Sequence, residues 1–156
     1  MELVVANISS LFLSFNKTDA NRIEKLPQSG SDRIYFRIYS GNQTYIATYN
    51  LNVKENNTFL LFSDHFKAAG LPVPKVFCVN EDRTIYIQED LGTDSLLNKL
   101  EAHGHNAYVY DLFKKSLKAL ARIQILGDKG LNYDWCLTAK EFGKQAIMSD
   151  LLYFKY

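Results

Sequence analysis

The sequence predicts an α+β fold: an antiparallel sheet of about five strands with accompanying helices in residues 1–92, then a purely helical part. Three observations carry this. Residues 33–39 alternate isoleucine or phenylalanine with arginine or tyrosine side chains, and a Gly41-Asn42-Gln43 turn leads to a return strand at Thr44–Tyr49, the pattern of a hairpin. Residues 67–92 read as a helix end, a proline-stiffened connector and a second hairpin. From residue 93 onward, apolar side chains recur only at helical spacing.

The elements follow in order. Leu3, Val4, Ile8, Leu11, Phe12 and Phe15 repeat at helical spacing, so residues 2–14 are expected to form an amphipathic helix on the back of a sheet. Arg22–Leu26 is a short strand stopped by Pro27. Small polar residues follow at 28–32. Ile34, Phe36 and Ile38 then alternate with Arg33, Tyr35, Arg37 and Tyr39, giving a strand with an aliphatic face and a cationic-aromatic face. Thr44–Tyr49 is its return strand. Asn50–Asn57 reads as a polar connector, with Asn57 or Thr58 capping a helix that runs to about Ala69. Gly70 accepts the left-handed cap conformation, and Pro72 and Pro74 forbid further helix. Val76–Val79 and Thr84–Gln88 are strands joined by the polar turn Asn80-Glu81-Asp82-Arg83. Asp94 is the expected cap of a helix reaching His103, and Ala107–Leu126 is a second helix with Tyr110, Phe113, Leu117, Leu120, Ala121 and Ile125 along one stripe. Thr138-Ala139-Lys140-Glu141 fits a capping box opening a last helix to Tyr156.

Bulk properties narrow the function. A chain of 156 residues is one ordinary domain, and 47% apolar residues suffice for a core. Eighteen basic and 17 acidic residues give a net charge of +1 with no basic run, so neither nucleic acid nor an anionic membrane is an expected partner. Cys78 and Cys136 lack paired or metal-type spacing and read as reduced thiols of a cytoplasmic protein. Met1–Phe15 lacks the basic start of a secretory signal, and no apolar run reaches membrane-spanning length.

Some residues could carry chemistry. Ser29, Gly30 and Ser31 lie between two strands, where small side chains let backbone N–H groups approach a phosphate. His103 and His105 lack a third ligand nearby and read as a helix-end turn. Glu89 and Asp90 are adjacent on a strand and so point to opposite faces, which argues against a shared acid/base site. Tyr35–Tyr39 with Arg33 and Arg37 could stack single-stranded RNA, but no wider basic surface accompanies them.

Two stretches, Ala69-Gly70-Leu71-Pro72-Val73-Pro74-Lys75-Val76 and Gln88-Glu89-Asp90-Leu91-Gly92, carry a resemblance, with a shorter likeness in Gly30-Ser31-x-Arg33 through Arg37. They resemble the aminoglycoside phosphotransferase and choline kinase family, and within it bacterial amino-sugar kinase-like members. The resemblance implies a protein-kinase-like N-terminal lobe at 1–92 with its hinge at 88–92, followed at 93–156 by the first helices of an α-helical C-terminal lobe. It implies an ATP-dependent phosphotransferase that passes the γ-phosphate to a hydroxyl of a sugar or amino sugar. By this likeness Glu89 and Leu91 meet the adenine through their backbone, and Gln88 is the gatekeeper. Ser29, Gly30 and Ser31 cover the phosphates, and Ile34, Val76 and Ile87 wall the ring.

The chain departs from the family in two ways. The strand-three lysine that holds phosphates in kinases falls near Ala47, and the helix expected at 58–66 carries no glutamate to pair with it. Arg33 or Arg37 would then supply the positive charge. The catalytic loop and the Mg²⁺ ligands are expected outside this chain, so no residue is named as catalytic or metal-binding, and the chain alone is expected to be inactive. The alternative is a non-catalytic nucleotide-binding or regulatory pseudokinase-like module, which the missing pair favours. The aromatic end of the last helix leads to an expectation of self-association.

Overall fold

The computed structural model describes residues 1–27, 30–137, 139–141 and 143–155, with Phe154 and Lys155 described as backbone only. Within these residues the fold is α+β, with a five-stranded antiparallel sheet and five α-helices. The order is α1 (Glu2–Asn16), β1 (Arg22–Lys25), β2 (Ile34–Ser40), β3 (Gln43–Tyr49), α2 (Val53–Ala68), β4 (Val76–Val79), β5 (Ile85–Glu89), α3 (Leu96–His103), α4 (Ala107–Gly127) and α5 (Lys144–Lys155). The strands lie in the order β1-β2-β3-β5-β4. The chain therefore leaves β3 through α2, enters the sheet again at its edge, and turns back to pair β5 with β3.

Strand parity decides which side of the sheet each residue occupies. Phe36 pairs with Ala47 and Ala47 with Ile87, so these share one face. That face meets α1 in a core of Ile8, Phe12, Phe36, Ile38, Tyr45, Ala47, Ile85 and Ile87. A register shift at Phe77 in β4 lets both Phe77 and Cys78 reach this core, and Phe77 stacks on Phe15 with ring centroids 5.3 Å apart. Burial there pushes the Cys78 thiol up to about 11.

The other face carries Tyr35, Arg37, Tyr39, Ile46, Thr48, Tyr86 and Gln88. Helix α2 covers part of it through Phe59, stacked on Tyr86 at 5.0 Å. The helix begins at Val53, five residues before Thr58, because Asn52 accepts a hydrogen bond from the Glu55 N–H at 3.1 Å. The stretch expected to be a connector is thus the cap and first turn. Its buried Asn56 donates to Asn50 O and Arg83 O, tying α2 to the β4–β5 turn. At the far end Gly70, at φ +69, lets its own N–H reach Lys67 O and the Leu71 N–H reach Phe66 O, which ends α2 as a Schellman motif.

The helical part differs from expectation at two boundaries. Ser95, and not Asp94, caps α3, in a reciprocal box with Asn98. Helix α5 starts at Lys144, with Ala139, Lys140 and Glu141 outside it; Thr138 lies outside the described residues. The apolar stripe of α4 is largely exposed at Tyr110, Leu117, Leu120 and Ile125. No described helix is long and apolar enough to cross a membrane.

Helices α2 and α4 meet at Gly127, the last residue of α4. His65 Nε2 donates to Gly127 O over 2.8 Å. A methyl group at Gly127 would stand 2.8 Å from Phe66 Cε1 and 3.3 Å from Leu71 Cδ1. Gly127→Ala is therefore expected to lower stability by about 1–3 kcal/mol through overpacking, read as a reduced urea midpoint at unchanged slope. An unchanged midpoint would show that the helices separate without cost.

Candidate functional site

Of the sequence-predicted residues, Arg37 and Gln88 lie on the sheet face opposite α1, whereas Glu89, Ile34 and Ile87 lie on the α1 side. Gly30 and Ser31 lead into β2, and the Arg33 N–H donates to Ser31 Oγ at 3.1 Å. Ser29 lies outside the described residues. Arg33 immediately precedes β2 and Arg37 lies within it, four residues on, about 13 Å away if the backbone is extended throughout.

At the 88–92 end, Arg37 is bonded through Nε and Nη2. Its Nε donates to Asp90 Oδ2 at 2.7 Å, and Nη2 reaches Asp90 Oδ1 at 3.2 Å and Gly92 O at 3.3 Å. The Gly92 N–H also donates to Asp90 Oδ1, at 2.9 Å. The Asp90 side chain is only 3% exposed. Its burial pushes the carboxyl pKa up, yet the hydrogen bonds from Arg37, Gly92 and Thr44 prevail and hold it below the usual carboxylate range. This fork fixes the segment after β5 onto β2.

Glu89 points the other way, as alternation demands. Its carboxylate accepts from the Lys75 N–H at 3.0 Å, which with the Lys67 ammonium keeps its pKa low. Its own N–H donates to Lys75 O at 2.8 Å. Leu91 is exposed, and its N–H enters no backbone hydrogen bond among the described residues. Gln88 pairs with Ile46 on the cationic-aromatic face, and its buried Oε1 has no partner. The exposed Leu91 and the buried Gln88 Oε1, which has no partner among the described residues, thus lie three residues apart.

Two expectations about the walls change. Ile34 and Ile87 belong to the α1 face, and Ile87 is completely buried against α1, so neither can line a cleft beside Gln88. Val76 pairs with Gln88 and stays on the site's face, joined there by Ile46. The same parity removes Ala47 as the strand-three position facing the site. It packs in the α1 core, whereas Ile46 and Thr48 face the other way. Thr48 lies beside Tyr86, whose hydroxyl is pushed up to about 12 chiefly by burial. A cavity of about 340 Å³ touches Glu89 and Asp90, but it opens towards Phe15, Tyr45 and Phe77 on the α1 side.

One residue escaped the sequence reading. Glu55 lies in the first turn of α2 and meets Arg33 Nη2 through Oε1 at 2.7 Å. The helix inserted after β3 therefore does carry a glutamate. The signal was present in Asn52-Val53-Lys54-Glu55, an N-cap residue followed three positions later by Glu. Among the described residues no group of three or more His, Cys, Asp or Glu side chains could hold a metal ion. His103 and His105 instead rest against Tyr108 and Tyr110. No protein-family model matches the chain, and no curated protein matches it either.

Proposed function

We propose that this chain is the nucleotide-binding lobe of an ATP-dependent small-molecule kinase of the aminoglycoside phosphotransferase type, with a protein-kinase-like fold. The observation that carries the reading is the cationic-aromatic face of the sheet. One end offers the exposed Leu91 with its free-standing backbone N–H, beside Gln88, suited to an acceptor on the edge of a purine. The other end offers the small-residue entry to β2 and the Arg33 guanidinium, suited to phosphates. These residues would bind the base and phosphates, while Mg²⁺ would arrive on the phosphates. The acceptor in this reading is a hydroxyl of a sugar or amino sugar.

Thermal unfolding of the purified chain with and without Mg-ATP tests binding. Ligand at one hundred times its dissociation constant adds about 2.7 kcal/mol to stability, which for a domain of this size is a shift of several degrees. A midpoint unmoved at millimolar Mg-ATP would refute the reading.

A further inference from the structure

Arg33 does not behave as a surface cation. Its side chain is 20% exposed, its guanidinium lies 5.5 Å over the Phe59 ring, and its buried Nε has no partner. Glu55, its partner, is held from both sides. Glu55 Oε2 accepts from Asn50 Nδ2 at 2.9 Å, and the Glu55 N–H donates to Asn52 Oδ1. Asn50 in turn accepts the Asn52 N–H through Oδ1, and its carbonyl takes Asn56 Nδ2. Exposed ion pairs are worth little and need no such support. A carboxylate bonded by Asn50, on a residue whose backbone is capped by Asn52, holds the guanidinium in one orientation before any ligand arrives, which is what preorganised recognition of an anion requires.

We propose that Arg33, oriented by Glu55, is the cation that receives the nucleotide phosphates, and that this β2–α2 ion pair stands in for the lysine that β3 lacks. The inference rests on the nucleotide reading above. Three observations select Arg33 over Arg37. Arg37 is already committed to Asp90. Arg33 directly follows the small-residue segment, and its backbone N–H donates to Ser31 Oγ. Its Nε is buried and has no hydrogen-bond partner among the described residues. Glu55 is a positioning residue: its carboxylate acts on the ligand only through the guanidinium.

Calorimetric titration of the purified 156-residue chain with Mg-ATP and, separately, with adenosine tests this. Arg33→Met is expected to weaken Mg-ATP binding by about tenfold or more, the worth of a charge-assisted hydrogen bond, and to leave adenosine binding unchanged. Arg33→Lys keeps the charge without the planar fork and should fall between. Glu55→Asp keeps the charge but shortens the reach, so it should also reduce Mg-ATP affinity and spare adenosine. If Arg33→Met is too unstable to fold, the Lys and Asp variants decide by the same ratio of affinities. A merely structural strut would lower the urea midpoint with that ratio constant, and this result overturns the assignment. Wild-type chain that binds neither ligand defeats the nucleotide reading itself. Wild-type and Arg33→Met chains that bind both ligands equally defeat the Arg33 assignment alone.

Discussion

Arg37→Met is expected to destabilise the protein by about 3–5 kcal/mol, because it strands the Asp90 carboxylate in a site that excludes water. The carboxylate is 3% exposed and depends on a two-pronged guanidinium contact plus the Gly92 N–H. Methionine fills much of the volume but returns none of the charge. Urea unfolding at pH 7 measures the loss, and a change under about 1 kcal/mol would place the pair among weak surface contacts. Replacing both residues by apolar ones should cost less than the sum of the two single changes, since the double variant buries no unpaired charge. The pH dependence follows from the lowered Asp90 pKa. A depressed carboxyl stabilises the folded state above its unfolded pKa of about 3.9. That stabilisation is lost as pH falls from there through the folded pKa. The gap between wild type and Arg37→Met should therefore be full at pH 7 and narrow below about pH 4. A gap that stays constant to pH 2 would contradict the ion pair as its source.

Phe12→Ala is the second large effect, expected at about 3–5 kcal/mol. Phe12 is fully buried and meets Tyr45 edge-on at 5.3 Å and Phe15 at 6.3 Å. It is the side chain by which α1 holds the aliphatic face of the sheet, and the rigid β-sheet behind it has little freedom to close the cavity. The residues proposed to bind nucleotide are on the opposite face. The variant should therefore lose stability by urea unfolding while the folded fraction keeps its affinity for Mg-ATP. An affinity that falls in proportion to stability would show that α1 shapes the site through the sheet.

Much of the architecture was legible because its signals are local. Period-two alternation in Arg33–Tyr39 gave β2 and divided its two faces correctly, since alternation is a property of the extended backbone itself. Gly70 and the two prolines marked the end of α2 for the same reason: the left-handed conformation and the missing N–H belong to single residues. The start of α2 was misread because a run of asparagines resembles a loop. Asn50 and Asn56 are buried instead, and Asn56 spends its amide on the carbonyl of Arg83, a partner 27 residues away.

The candidate site divides in the same way. The hairpin signals put Arg33 and Arg37 at one strand and Gln88, Glu89 and Leu91 at another, whereas only the structure shows that β3 lies between the two. The sequence could not decide which face α1 would cover. That choice sent Ala47, Ile34 and Ile87 into the core and left Ile46, Thr48 and Val76 on the other side. Nor could it pair charges distant in the chain. Arg37 meets Asp90 across 53 residues, and Arg33, just before β2, meets Glu55 in the first turn of α2. Backbone conformation follows from neighbours along the chain, whereas the choice of ion-pair partners follows from how helices pack on the sheet, and only the tertiary structure decides that.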